Sequence, residues 1–279
     1  MDFLQILVLA IVQGVAELLP VSSSAHVIVA EKLMGLDPTS PQMTLLLVML
    51  HTGTMFAVIA YFWASWRKTY FASTQAFRRN ARYVVMATAV TGVVGLSLMQ
   101  VIKHVVMGNA SSFEIEQLFG NSRLMAAALA AAGVLIIVSS RLKPDGHDVA
   151  AKSALWIGAV QGLCLPFRGF SRSGATISTG LALGVSRRNA EEFSFALAVV
   201  LTPAVIVKEV WRLYKAQAAS TPMHAGELVH LLTPGLIGMV LSFVAGLLAL
   251  RWLSRWLEQG RWHLFGGYCL LASLVVLWV

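Results

Sequence analysis

The feature that most constrains this chain is a series of long apolar stretches separated by short polar segments. Six of them approach or reach about 20 residues, the length that an α-helix needs to cross about 30 Å of hydrocarbon. They cover 45–66, 84–107, 124–138, 193–210, 228–250 and 262–279. Every backbone N–H and C=O must be paired inside a bilayer, and the stretches lack the alternation of barrel strands. The sequence therefore predicts an all-α integral membrane protein with about six transmembrane helices in a single domain, 1–279.

The composition supports a lipid environment. Of the 279 residues, 57% are hydrophobic and only 12% are charged, compared with roughly 25% charged residues in an average soluble domain. The net charge of +8 would suit a nucleic-acid-binding protein, but no soluble basic segment is long enough to form one. We therefore assign the positive charge to loops and expect the lipid bilayer, not nucleic acid, as a partner. The stretch 3–21 lacks a basic leader and contains Glu17 and Pro20, so we do not interpret it as a signal peptide.

Two apolar stretches, 3–35 and 154–185, turn polar in the middle. The first break reads Glu-Leu-Leu-Pro-Val-Ser-Ser-Ser at 17–24, and the second reads Pro-Phe-Arg-Gly-Phe-Ser-Arg-Ser at 166–173. We interpret each stretch as a re-entrant helix–loop–helix segment that returns to the side of the membrane from which it came. Two full spans in their place would give eight crossings and a different assignment of the loops.

The distribution of Lys and Arg predicts the orientation. With six spans and two re-entrant segments, the loops that carry the larger share of these residues lie on one side of the membrane. They are 67–82, 141–152, 186–190 and 251–261. The positive-inside rule makes that side cytoplasmic and directs both termini outward.

A repeated motif divides the chain into two halves, approximately 1–140 and 153–279. Val-Gln-Gly precedes each break, at 12–14 and 160–162, and Leu-Pro and a serine cluster follow it. In the predicted orientation the first broken segment comes from outside and the second from the cytoplasm, which is an inverted-topology repeat whose broken helices meet near the midplane. The alternative is a coincidence between short motifs in a chain rich in Leu, Val and Gly.

The second break combines guanidinium groups with hydroxyls inside an apolar stretch. Ionisable groups in such surroundings are costly and by default indicate a functional site. A guanidinium pairs with two phosphate oxygens, while hydroxyls and the N–H groups of a helix start bind the others. The predicted phosphate-binding residues here are Arg168, Ser171, Arg172, Ser173 and Thr176.

The first break offers a nucleophile, a base and a carboxylate. Ser23 or Ser24 supplies a hydroxyl, and His26 stands three residues after Ser23, on the same helical face. Glu17 would orient the imidazole, act as a base or hold a divalent cation. The alternatives are that the serines cap a helix start and that His26 is an interior histidine. His51, in Leu-His-Thr-Gly-Thr, either lines the same cavity or makes structural hydrogen bonds.

Two mechanisms stay open at this point. In the first, Ser23 attacks phosphorus and His26 takes its proton, which gives a covalent intermediate. In the second, His26 or Glu17 activates a water molecule and Ser23 only binds phosphate.

Three sequence segments together resemble the undecaprenyl-diphosphate phosphatases, also called bacitracin-resistance proteins. They are Gln-Gly-Val-Ala-Glu-Leu-Leu-Pro-Val-Ser-Ser-Ser-Ala-His at 13–26, Gly-Phe-Ser-Arg-Ser-Gly-Ala-Thr-Ile-Ser at 169–178 and Glu-Phe-Ser-Phe at 192–195. Length and hydropathy agree along the whole chain. The resemblance implies essential roles for six residues: Glu17, Ser23, His26, Ser171, Arg172 and Thr176. Gln13 stands where the family has either an acid or glutamine, and Pro166-Phe-Arg168-Gly-Phe replaces the usual Pro-Gly before Ser-Arg-Ser.

The resemblance also implies a reaction and a location. The reaction is release of inorganic phosphate from undecaprenyl diphosphate, a polyprenyl diphosphate lipid, with Mg²⁺ or Ca²⁺ as cofactor. The location is the bacterial inner membrane, with the active site open to the periplasm. The product would return to cell-wall synthesis, and a homodimer is compatible with the sequence.

Two alternative functions make different demands on the sequence. A polyprenyl-phosphate flippase or other transporter would use the same broken helices, because inverted repeats are common in transporters. An acid-phosphatase-like lipid phosphatase would need a Lys…Arg-Pro element and a late His with Asp, and neither occurs in suitable context.

Overall fold

The computed structural model describes residues 2–37, 40–106, 121–142, 146–167, 169–218 and 225–278. In these ranges the regular backbone is helical, apart from an isolated bridge between His147 and Val185. The helices are α1 (Phe3–Leu18), α2 (Ser23–Leu33), α3 (Pro41–Thr69), α4 (Thr74–Val101, continued by a π-helical turn at Ile102–Val106), α5 (Ser122–Ser140), α6 (Ala151–Cys164), α7 (Arg172–Ala182), α8 (Arg187–Ala218), α9 (Ala225–Glu258) and α10 (Trp262–Val276).

Five of the described helices are long and apolar enough to cross a bilayer. Their qualifying portions are Gln42–Thr69, Thr74–His104, Ser122–Ser140, Arg187–Val207 and Leu232–Glu258. They match the first five predicted stretches, so the multi-pass, all-helical membrane fold is confirmed. The sixth stretch forms α10, which has only 15 residues and is about 22 Å long at 1.5 Å per residue. By length alone, the described ranges therefore contain five of the six predicted spans.

Local sequence signals set several helix starts. The side chain of Ser40 accepts a hydrogen bond from the Met43 N–H at the start of α3, and Pro41 follows at the first helical position. Ser73 caps α4 in the same way, and the Asn121 side chain accepts two backbone N–H groups at the start of α5. Such caps satisfy donors that a helix start otherwise leaves unpaired, and they fix where each long helix begins.

Each predicted polar break separates two short helices. α1 and α2 have 16 and 11 residues and flank the break at 19–22, while α6 and α7 have 14 and 11 residues and flank the break at 165–171. α1 packs against α2, and α6 packs against α7. At 1.5 Å per residue, none of the four reaches 30 Å.

The first helix of each half packs on the fourth helix of the other half. α1 lies along α9, and α6 lies along α4. Glycine makes both approaches close: a Cβ added to Gly14 would stand 2.6 Å from the Ala245 Cβ, and one added to Gly162 would stand 2.8 Å from the Val94 Cβ. Both glycines belong to the repeated Val-Gln-Gly motif, so the motif marks equivalent packing positions in the two halves.

The buried core includes the first break, through Leu19 and Val21. Its largest cluster joins Leu18, Leu129, Ile136, Phe195 and Trp262 from four different helices. Large apolar side chains also cover the outer surface, for example those of Val85, Val93, Leu96, Val244, Leu248 and Leu271. Such extensive apolar exposure is expected where lipid, not water, surrounds the protein.

Candidate active site

The two breaks meet in space. The Ser173 hydroxyl donates a hydrogen bond to the Leu19 carbonyl at 3.3 Å, although the two residues come from opposite halves of the chain. A Cβ on Gly174 would lie 3.2 Å from the Pro20 side chain. The start of α7 therefore rests directly on the turn between α1 and α2.

Glu17 is the centre of the polar contacts. Its carboxylate accepts hydrogen bonds from Arg172 Nη2 at 2.8 Å and from the Ser23 hydroxyl at 2.5 Å. Gln13 Nε2 lies 3.4 Å away, and His51 Nε2 lies 3.8 Å away. The side chain is only 18% exposed, so its charge depends on these donors.

Arg172 has one half of its guanidinium free for a ligand. Nη2 contacts Glu17, whereas Nη1 is buried and has no hydrogen-bond partner in the described part of the chain. Arg172 is the first residue of α7, and the Ser171 hydroxyl caps that helix by accepting the Gly174 N–H. A helix start with a buried, unsatisfied guanidinium is suited to an anion such as phosphate.

Most of the predicted serines face one cavity. Ser22 and Ser24 lie with their hydroxyl oxygens 3.3 Å apart, and those of Ser171 and Ser173 are 3.5 Å apart. The capping alternative for Ser22 is not realised, because its side chain makes no cap hydrogen bond to α2.

Thr176 is directed elsewhere. It is fully buried, and its hydroxyl lies 2.8 Å from the Arg172 carbonyl and 2.6 Å from the Ser194 hydroxyl on α8. Thr176 does not line the cavity. Its contacts tie the first turn of α7, and with it the Arg172 backbone, to α8.

His26 is not paired with Ser23. The Ser23 hydroxyl donates to Glu17, while His26 Nδ1 lies 2.8 Å from the Ser22 carbonyl and Nε2 lies 2.6 Å from the Tyr268 hydroxyl. The expected helical neighbourhood exists, but both side chains turn toward other partners. His26 does not line the cavity, whereas His51 does and also donates through Nδ1 to the Leu47 carbonyl at 2.8 Å.

The cavity has a volume of about 320 Å³, which is within the usual range for a small-molecule site. Its polar side carries the residues discussed above. Its apolar side comes from the second break and from one face of α8, a region that the sequence analysis did not single out. These further lining residues include Leu165, Phe167, Phe170, Ala198, Leu201, Thr202 and Val205.

Gln161 also lines the cavity and was not predicted as a site residue. Its Nε2 donates to the Thr91 hydroxyl on α4 at 3.1 Å, and its buried Oε1 accepts no hydrogen bond from the described part of the chain. The signal for it was present, since Gln161 occupies the position of Gln13 in the repeated motif. Arg168, the remaining predicted phosphate ligand, lies outside the described residues.

In the described ranges, no group of three His, Cys, Asp or Glu side chains could hold a metal ion. Glu17 is the carboxylate of the cavity, and both of its oxygens already accept hydrogen bonds. A cation here would need oxygens from the ligand itself. Mg²⁺ is often bound in this way, by one or two carboxylates together with substrate phosphates.

The fold and the site define a class: a multi-pass helical membrane protein with a buried cavity suited to a phosphate group and an adjoining apolar wall. The chain belongs to the family described as "Bacitracin resistance protein BacA", whose sequence profile matches residues 6–275.

Similar proteins carry the name of one activity. An Acinetobacter baylyi protein named "Undecaprenyl-diphosphatase 2" is 68% identical over 278 residues, covering 99% of this chain and 98% of the relative. A Burkholderia pseudomallei protein named "Undecaprenyl-diphosphatase 1" is 34% identical and covers 96% and 94% of the two chains. A Korarchaeum cryptofilum protein named "Undecaprenyl-diphosphatase" is 28% identical and covers 99% of each. None of these three names supports the flippase alternative.

Proposed function

We propose that this chain hydrolyses undecaprenyl diphosphate to undecaprenyl phosphate and inorganic phosphate. The family and the names of the relatives agree with this reaction. The observation that carries it is the contact of Glu17 with both Ser23 and Arg172 at the edge of one cavity. The Glu17 carboxylate, a base, is therefore in hydrogen-bond contact with both the Ser23 hydroxyl and the Arg172 guanidinium, which can bind phosphate.

The geometry favours Ser23 as the nucleophile and Glu17 as the group that accepts its proton. In the first step the Ser23 oxygen bonds to the terminal phosphorus, its proton moves to Glu17, and undecaprenyl phosphate leaves. Glu17 then passes this proton to the departing lipid phosphate and is again a carboxylate. In the second step water attacks the phosphoserine, Glu17 takes a proton from the water and returns it to the Ser23 oxygen as the bond from that oxygen to phosphorus breaks, and inorganic phosphate departs. Arg172 binds the phosphoryl oxygens, on which the charge of the transition state lies. The alternative keeps Glu17 as the base for a water molecule that attacks directly.

Two side chains in the cavity would hold the divalent cation expected for this family. Glu17 would contribute a carboxylate, and Gln161 would contribute its buried Oε1, which accepts no hydrogen bond from the described residues. Hard cations such as Mg²⁺ and Ca²⁺ prefer such oxygen ligands. Bound with the diphosphate, the cation would neutralise part of its negative charge.

The apolar wall of the cavity suits the polyprenyl tail. Ala198, Leu201, Thr202 and Val205 are spaced along one face of α8, and Phe167 and Phe170 at the second break line the same cavity. An isoprenoid chain leaving the polar end of the cavity would remain in contact with apolar side chains. Such contacts stabilise binding by removing apolar surface from water.

Both broken segments are proposed to be re-entrant and to form an inverted repeat of the halves 1–140 and 153–279. Two findings support this arrangement. Each half has two short helices, then two long helices and a shorter fifth helix, and α1 and α6 pack reciprocally on α9 and α4. The protein would lie in the bacterial inner membrane with the cavity open to the periplasm, where the product rejoins cell-wall synthesis. α10 would then be the sixth span.

Purified protein in detergent, supplied with undecaprenyl diphosphate and Mg²⁺ or Ca²⁺, tests the function. We expect release of inorganic phosphate by the wild type, almost none by Arg172→Ala, and normal release by Arg79→Ala, whose side chain is exposed at the start of α4. A flippase without hydrolytic activity would release no phosphate under these conditions. Absence of release by the wild type, or equal release by Arg172→Ala, would overturn the proposal.

A further inference from the structure

The turn between α1 and α2 is tethered through its carbonyl groups. The Leu19 carbonyl accepts from Ser173, the Pro20 carbonyl from the Cys269 thiol at 3.2 Å, and the Ser22 carbonyl from His26 Nδ1 at 2.8 Å. Two of these tethers depend on α10: Cys269 acts directly, and the adjacent Tyr268 acts by holding His26.

The contacts of His26 determine where its proton lies. A carbonyl oxygen only accepts hydrogen bonds, so Nδ1 must carry the proton that reaches Ser22. In the neutral ring Nε2 is then an acceptor, and the Tyr268 hydroxyl donates to it at 2.6 Å. The lone pair that a base would need is thus occupied by Tyr268, and the ring lies outside the cavity lining.

Ser22 explains why such a tether is needed. Its φ of 68° makes it the one non-glycine residue with positive φ in the described ranges. Residues with a Cβ rarely adopt this region and stay there only when their surroundings hold them. The following residue is Ser23, so the backbone of Ser22 sets the direction from which the Ser23 hydroxyl approaches Glu17.

We propose that Tyr268 is a positioning residue for the reaction, an inference that rests on the proposed phosphatase function. The Tyr268 hydroxyl donates to His26 Nε2 and so fixes the orientation of the ring. His26 Nδ1 then donates a hydrogen bond to the carbonyl of Ser22, whose backbone is strained. The left-handed turn then presents Ser23 to Glu17 and to the phosphorus. His26 takes part through the backbone and does not accept the proton of Ser23.

The first measurement compares kcat and KM of the wild type with those of Tyr268→Phe, which keeps the ring and loses only the hydroxyl. We expect kcat to fall about tenfold with KM nearly unchanged, the scale of one lost hydrogen bond. Tyr83→Phe on α4 removes a hydroxyl from a residue that packs on a different apolar cluster, with Ala87 and Phe193, and is expected to retain normal kinetics. An unchanged kcat in Tyr268→Phe would overturn the inference.

A second measurement separates positioning from proton transfer. Glycine adopts positive φ without strain. In Ser22→Gly the conformation of the turn should therefore depend less on the hydrogen bond from His26. We expect the loss caused by Tyr268→Phe to shrink to about twofold in a Ser22→Gly background, and to stay about tenfold in a Ser22→Ala background, which removes the hydroxyl but keeps the strain. Equal losses in the two backgrounds would overturn the positioning role.

Failure of the function and failure of the inference are distinguishable. Absence of phosphate release by the wild type overturns the function, and ¹⁵N NMR of histidine-labelled protein still tests the tether without turnover. The His26 signals are assigned by their loss in His26→Asn. We expect Nδ1 to carry the proton. We also expect the chemical shift of Nε2 to show a hydrogen bond that is absent in Tyr268→Phe. A proton on Nε2, or signals unaffected by Tyr268→Phe, would overturn the inference whatever the activity.

Discussion

A carboxylate and a guanidinium from opposite halves of the chain form the electrostatic centre of this protein. Arg172 is 23% exposed in its side chain, and its buried Nη1 has no hydrogen-bond partner among the residues that the structure describes. Breaking such a pair by removing one member leaves a poorly solvated charge, which is strongly destabilising. Substitutions that keep charge or shape are therefore more informative here than truncations.

Arg172→Lys keeps the charge and loses the planar fork. Lysine cannot contact Glu17 and two phosphate oxygens in the same geometry. We expect kcat/KM for phosphate release to fall by at least about 10²-fold, the scale seen when one preorganised donor to the transition state is removed. Arg79→Lys is the matched control and should behave as the wild type. Near-normal turnover by Arg172→Lys would show that the fork is not required.

Ser23→Ala tests the covalent route. With Ser23 as nucleophile, the variant should lose turnover almost completely, and wild type quenched during the reaction should carry a phosphoryl group on Ser23, detectable by mass spectrometry of peptides. Ser24→Ala, the neighbouring change, should retain substantial turnover because Ser24 does not contact Glu17. If Ser23→Ala keeps a substantial rate and no phosphoserine forms, direct attack by water becomes the better mechanism.

At this scale the sequence predicts residue types better than pairings. Glu17, Ser23 and Arg172 stand out because polar groups in an apolar stretch are costly without a function. The spacing of Ser23 and His26 suggests a pair, yet the helix start turns Ser23 back to Glu17 and the histidine ring to the Ser22 carbonyl. Tyr268 carries no such signal, because it belongs to an apolar helix far along the chain and only tertiary packing brings it to His26.

At the scale of elements, the breaks were predictable and their packing was not. Proline and serine clusters indicate where apolar helices must end, and the observed breaks at 19–22 and 165–171 lie within or next to the predicted ones. The sequence does not indicate which helix lies against α6, because many apolar faces in the chain are compatible with it. The one sequence feature that bears on this packing is the glycine of the repeated Val-Gln-Gly motif, because a glycine allows another helix to approach closely.

Gly162→Ala tests that packing. The added Cβ would stand 2.8 Å from the Val94 Cβ and 2.9 Å from the Thr91 carbonyl oxygen, so α6 and α4 must separate. We expect a loss of stability of about 1–3 kcal/mol, the usual cost of overpacking. Gly92→Ala on α4 is the control, because its Cβ would meet nothing within 4 Å and alanine favours the helix by about 1 kcal/mol. Thermal unfolding in detergent should shift downward for the first variant and not for the second.

At the scale of the whole molecule, the proposed orientation depends on the basic loops. Cysteine introduced at Arg79, near the start of α4, should react with an impermeant thiol reagent only after the inner membrane is opened. Cysteine introduced at Arg123, at the start of α5, should react in intact spheroplasts. Both side chains are exposed, and the unchanged protein, with Cys164 and Cys269, gives the background. The reverse pattern of labelling would overturn the proposed orientation.

The Glu17–Arg172 pair also has a consequence for biosynthesis. The two residues are 155 positions apart, so at about 5–20 residues per second Glu17 leaves the ribosome roughly 10 to 30 s before its partner. During that interval α1 has to reach the membrane with a carboxylate that Ser23, Gln13 and His51 can contact but Arg172 cannot yet pair with. Ribosome-bound chains that stop short of Arg172 should therefore hold α1 loosely and expose it to protease, until the second half of the protein has been made.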